Sequence, residues 1–169
     1  MSGKGTKTMN AQTIDDYEAG GTKLEQAIRG LTGEDLLASP PSEPEIGKWT
    51  IQQVVLHLCD SDLVYAERMK RVIAEENPTL QGYDENKWVA GLHYAEQSAE
   101  DAVTLLATVR RQMARILRKL PESAFARPGN HTEYGRRTLA QLVEGAVKHL
   151  DHHIAFIHKK RAAMGKEMW

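Results

Sequence analysis

The chain has 169 residues and a formal net charge of −1, with 27% charged and 41% hydrophobic residues. That length suits one ordinary domain with its own core, and the balanced charge excludes a global basic field for nucleic acid or an anionic membrane. Cys59 is the only cysteine, which excludes an internal disulfide and fits a reducing, cytoplasmic compartment. The polar start MSGKGTKTMN has no apolar segment of the signal-peptide kind and reads as a flexible lead over residues 1–10. One helical domain is expected over 11–165, and no apolar run approaches the ~20 residues of a membrane span.

Apolar residues recur at helical spacing in four long stretches, and alternating strand-like runs are missing. The first, about 11–31, carries Ile14, Tyr17, Leu24, Ala27, Ile28 and Leu31, with Gly20-Gly21 as a potential kink. ASPPSEPEIG (38–47) holds three prolines, cannot continue a helix and marks a surface connection. Thr50-Ile-Gln-Gln53 has the spacing of a capping box and opens a second helix that ends near Glu75, before Asn77-Pro78. LQGYDENKW (80–88) reads as a loop leading into a short helix. A third long helix runs from Ser98 to about 119 and stops at Leu120-Pro121, followed by the loop RPGNHTEYG (127–135). Thr138-Leu-Ala-Gln141 repeats the capping-box spacing and opens a fourth helix that reaches about Arg161. The pattern predicts an all-α fold, an antiparallel four-helix bundle with a short extra helix.

Helical phase sorts the histidines. With Leu139 at zero, Val143, Ala146, Leu150, Ile154 and Ile157 form the inward stripe of the fourth helix. On that scale His153 lies about 40° and His149 about 80° from the centre, on one side. His152 falls about 140° away and His158 about 100° away on the opposite flank. His149 and His153 thus stack one turn apart and lean inward, while His152 points elsewhere. On the second helix, with Ile51 at zero, His57 lies about 60° beyond Val54, at the margin that faces a neighbouring helix. Three imidazoles from two helices would form a face suited to a divalent metal and leave coordination positions open. The same residues also fit hydrogen-bonded, part-buried histidines.

The stretches that carry these features resemble the DinB-like superfamily of four-helix-bundle metalloproteins. They are KWTIQQVVLHLCDSDLVYAERM (48–69), GYDENKW (82–88), LPESAFARPGNH (120–131) and TLAQLVEGAVKHLDHHIAFI (138–157), the last with the family's H-x-x-H-H. The resemblance spans about 11–160 in the family's order. It implies a bundle holding one divalent ion (zinc or nickel first, iron or manganese also suited) on His57, His149 and His153, with His152 as the frequent non-ligating histidine.

Characterised branches of that family are thiol-dependent enzymes: bacillithiol S-transferases, mycothiol-dependent maleylpyruvate isomerase and the metal-binding domain of ergothioneine-synthesising enzymes. The resemblance therefore implies a transferase in which the metal activates a low-molecular-weight thiol against an electrophilic substrate. Its alternatives are a metal-dependent hydrolase, with water as the activated group, and a non-enzymatic metal-binding stress-response protein. It also implies a homodimer. No basic recognition helix argues for DNA. Beyond the histidines, Asp84 matches a recurrent acidic position and has two readings: a hydrogen-bond partner for a ligand imidazole or a thiol's amine, or a turn residue before the short helix. Asp62 lies within about 20° of an apolar stripe's centre and so needs a Lys or Arg partner or a subunit interface. Tyr65 shares the side of His57. Cys59 faces away and reads as packing.

Overall fold

The computed structural model describes residues 11–41, 43 and 45–167; the lead expected over 1–10 lies outside them. In chain order the elements are α1 (Ala11–Ile28), α2 (Gly33–Leu37), α3 (Ile51–Ala74), β1 (Thr79–Leu80), α4 (Glu85–Gly91), α5 (Ala99–Leu117), β2 (Pro128–His131), β3 (Gly135–Thr138) and α6 (Leu139–Ala163). The helix starts are those written in the sequence. Thr50 and Thr138 each accept from the backbone amide three residues on, and the Gln53 and Gln141 side chains return the bond, closing two capping boxes. Ser98 caps α5 by accepting from Asp101 N. The short helix α2 has its own box, Thr32 with Asp35, which the sequence reading passed over.

The four long helices form the bundle. α1 packs on α5 and α6, and α3 packs on the same two. Side-chain pairs give the directions. Asp15 meets Arg118 while Gly21 lies against Ala107, so α1 and α5 are antiparallel. His57 meets His149 while Tyr65 lies against Gly145, so α3 and α6 are antiparallel too. Lys23 pairs with Asp151 and Arg161 donates to Ala27 O, so α1 and α6 run parallel. Asp62 pairs with Arg110 and Lys70 with Gln112, so α3 and α5 also run parallel. Successive helices therefore run up, down, down, up. A parallel pair needs a connection that travels back along the bundle, which accounts for the long segment between α3 and α5.

That segment and the one before α6 meet in a small sheet of order β1-β2-β3, with β1 and β2 parallel and β2 and β3 antiparallel. Sequence periodicity gave no sign of it, because a two-residue and two four-residue strands are too short to show alternation. Arg127 anchors the sheet to the bundle by donating to Val72 O and Glu75 O, carbonyls left open at the end of α3.

The buried apolar side chains form two clusters, one around Leu24, Leu58, Leu106 and Leu150, the other around Tyr17, Met69, Met113 and Val143. A polar layer built on Arg110 lies between them in sequence on every long helix. Its guanidinium is 1% exposed and grips Asp62 through both carboxylate oxygens, at 2.6 and 2.9 Å. It also donates to Tyr17 O and Ala146 O and lies 4.6 Å from the centre of the Tyr17 ring. This answers the question posed by a carboxylate in an apolar stripe. Gly20-Gly21 does not interrupt α1, which runs through it. A Cβ on Gly20 would strike the Arg110 guanidinium, and one on Gly21 would come within 2.5 Å of the Ala107 Cβ. The glycines are there for close approach rather than for bending.

Candidate metal centre

Two capped helices bring the site together. The box at Thr50 fixes the first turns of α3 and with them His57; α6, started by its own box, carries His149 and His153 one turn apart. Because α3 and α6 are antiparallel neighbours, His57 arrives opposite that pair. The Nε2 atoms of His57 and His149 lie 3.2 Å apart, and one ligand nitrogen from each of the three rings falls within 4.8 Å of the others. Ring centroids are separated by 5.0 Å (His57–His149), 4.7 Å (His57–His153) and 4.6 Å (His149–His153).

The donor set fits a metal ion. Two nitrogens bound at ~2.0–2.1 Å on a tetrahedral ion stand about 3.3 Å apart, which the His57–His149 separation approaches. The rings must also be neutral to ligate. Burial pushes the His57 pKa down to about 3, with His149 adding to the effect. Burial also lowers His149 to about 4, helped by His152 and Arg110. His153 is lowered to about 3 by burial and then by His149 and His57. Unprotonated nitrogens converging in a half-dry pocket are what a cation needs.

Trp49, the residue before the α3 cap, forms one wall. Its ring lies 4.9 Å from that of His57 and stacks at 10° on His153, 6.2 Å away. Beside it a cavity of ≈250 Å³ opens against His153, lined also by Val54, Asn86, Phe156 and Lys160 and by the backbone turn at Ile46–Lys48. Tyr65 closes the site lower on α3, with its ring 6.1 Å from His149.

The remaining sequence candidates separate cleanly. His152 is exposed and does not join the three converging nitrogens; its ring lies edge-on to His153 at 5.3 Å and to Phe156 at 5.0 Å. Asp84 takes the turn role: it caps α4, accepts from Lys87 N and pairs with the Lys87 ammonium. Cys59 is buried, and that burial, with Asp60 and Asp62 adding to it, pushes its thiol up to about 12, so it is packing and not a nucleophile. His131, passed over as a loop residue, is buried in β2 and accepts the Glu133 and Tyr134 amides through Nδ1. Lys160 was missed altogether. It sits seven residues after His153, two turns on along the same face, and phase alone would have placed it on that face.

The pattern of the DinB superfamily matches residues 16–157. The chain belongs to the DinB superfamily. Within the reach of this family, it is 30% identical over 157 residues to a protein of Oceanobacillus iheyensis named "Putative metal-dependent hydrolase", covering 93% of this chain and 88% of that one. A Bacillus cereus (strain 03BB102) protein of the same name is 29% identical over 156 residues, covering 92% and 87%. Among solved structures, YfiT of Bacillus subtilis superposes with a TM-score of 0.86 at 28% identity, over 98% of this chain and 93% of that one. It is described as "a probable metal-dependent hydrolase with an unusual four-helix bundle topology". The DinB fold and the up-down-down-up path of this chain agree with that likeness, and no described helix is long and apolar enough to cross a membrane.

Proposed function

We propose that this chain is a metal-dependent hydrolase whose divalent ion is held by His57, His149 and His153. The observation that carries the reading is the convergence of three imidazoles from two helices with their ligand nitrogens within 4.8 Å. The names of the relatives support hydrolysis over the other activities that the sequence suggests. Three imidazoles suit zinc and nickel first and iron or manganese after them, and availability selects among these.

When bound, the ion supplies Lewis acidity that activates a nucleophile near neutral pH and polarises the bond to be broken. The chain's own residues do the rest. Burial keeps the three imidazoles unprotonated, Trp49 shields two of them from water, and the cavity beside His153 admits a small substrate. The thiol-transferase reading uses the same three residues and differs in the nucleophile, a low-molecular-weight thiol in place of water.

Metal analysis of the purified protein beside His57→Ala, His149→Ala and His153→Ala tests the site. One ion per chain, lost in each variant, is expected; unchanged metal content in all three sinks it. Turnover of ester, amide or phosphoester substrates that stops on chelation and needs no thiol supports the hydrolase. Turnover of an electrophilic dye only when a cellular thiol is added replaces hydrolase by transferase.

A further inference from the structure

The cavity beside His153 carries a charge that the metal reading does not use. Lys160 is 3% exposed, an unusual position for an ammonium group. Its Nζ donates to Ile46 O and to Gly47 O, the latter at 3.2 Å, and no carboxylate among the described residues pairs with it. An ammonium has three donors, and these two bonds leave one. Burial alone lowers its pKa, to about 8, with no anion offsetting it. Gly47 has φ 77°, a left-handed turn that glycine adopts without strain, and its carbonyl is one of the two that the lysine head reaches.

The other described walls of the cavity are complementary to the same kind of guest. Trp49, Val54 and Phe156 are apolar, Asn86 is neutral, and no acidic residue is among the described walls. Lys160 follows His153 by two helical turns, about 10 Å along the axis, and helical side chains lean back toward the N-terminus, toward His153. A buried cation without a counter-ion costs stability unless something negative completes it.

We infer that this cavity binds a small anionic substrate, with its carboxylate or equivalent monoanionic group on Lys160 and its apolar body between Trp49 and Phe156. The reacting bond is thereby directed to the His153 side. The inference rests on the proposed hydrolase reading for the word substrate, while the anion site itself needs only the cavity and the lysine. Lys160 is a positioning residue for the anion.

Benzoate and benzamide are matched probes, equal in shape and different in charge. Their binding is measured by calorimetry and by tryptophan fluorescence, on the protein as purified and again after chelation, where any preference cannot come from the metal. Wild type is expected to prefer benzoate by about tenfold or more, from a charge-assisted hydrogen bond in a half-dry site. Lys160→Met should abolish the preference and Lys160→Arg retain it, all with unchanged metal content. Equal binding of the two probes by wild-type protein, no binding of either, or a preference that survives Lys160→Met overturns the inference. If Lys160→Met does not fold, the chelated wild-type comparison decides. Loss of the metal reading would appear separately, as absent metal with the benzoate preference intact.

Discussion

Removing the Asp62 carboxylate isolates what the polar layer contributes. In Asp62→Ala, Arg110 loses both of its charge-paired hydrogen bonds and keeps those to Tyr17 O and Ala146 O, at 1% exposure. Breaking a buried pair in this way typically costs about 3–5 kcal/mol, because a charge stays behind without its partner. Against a total stability of about 5–15 kcal/mol, that is a large fraction. For a chain of this size it corresponds to a Tm drop of about 6–20 °C. Asp62→Leu/Arg110→Met removes both charges and places apolar groups where the two apolar clusters approach each other. The carbonyls it releases lie inside α1 and α6, where the amide four residues on already bonds each of them. The double variant should therefore lie within about 2 kcal/mol of wild type, well above either single variant. Urea unfolding followed by circular dichroism, with chelator present so that metal linkage does not enter, gives the cycle directly. A double variant as unstable as the sum of the two single ones would refute the reasoning, since it would show that the pair is not an isolated energetic unit.

Gly20→Ala should lower stability by about 1–3 kcal/mol, as expected for overpacking, because the new Cβ displaces the Arg110 guanidinium; thermal unfolding reads it, and an unchanged Tm would remove the close-approach argument. Thr50→Ala should cost about 1 kcal/mol through loss of the α3 cap and should also weaken metal binding, because it loosens the turns that carry Trp49 and His57; a competitive chelator titration checks the second effect. The three site histidines have folded pKa values near 3–4 against an ordinary 6.5. Protonation therefore favours the unfolded chain, and metal-free protein should be most stable above about pH 6.5 and lose stability progressively as pH falls toward 4. Denaturation curves across that window test the sign, and His57→Ala should flatten the slope.

Much of the fold and of the site was legible because both rest on periodicity. The capping boxes at Thr50 and Thr138, the inward phase of His149 and His153, and the marginal phase of His57 are all local quantities, and each survives in the structure. Long-range pairings were not legible. Asp62 announced the need for a cation, but nothing near it in sequence pointed to Arg110, 48 residues away on another helix. Lys160 lay in phase with the histidines, but a lysine near a helix C-terminus is ordinarily solvated and satisfies the last carbonyls, so its burial could not be told from sequence. Asp84 could be placed either way from sequence, and its bond to Lys87 N gives it the turn role. The sheet was invisible because its strands are held by the returning connections, not by any pattern of their own.

The contact between His57 and His149 joins residues 92 apart in the chain. Any bridge that holds both of them closes more than half of the polypeptide into a loop. In chain-entropy terms such a closure removes about 4.5 kcal/mol of freedom from the unfolded ensemble, comparable to a long-range disulfide. A protein with one cysteine has no disulfide with which to make that cross-link. An ion held by the proposed histidine site would give it a reversible one, so occupancy of that site and resistance to unfolding should rise and fall together, and a chelator should act on this chain much as a reductant acts on a disulfide-bonded one.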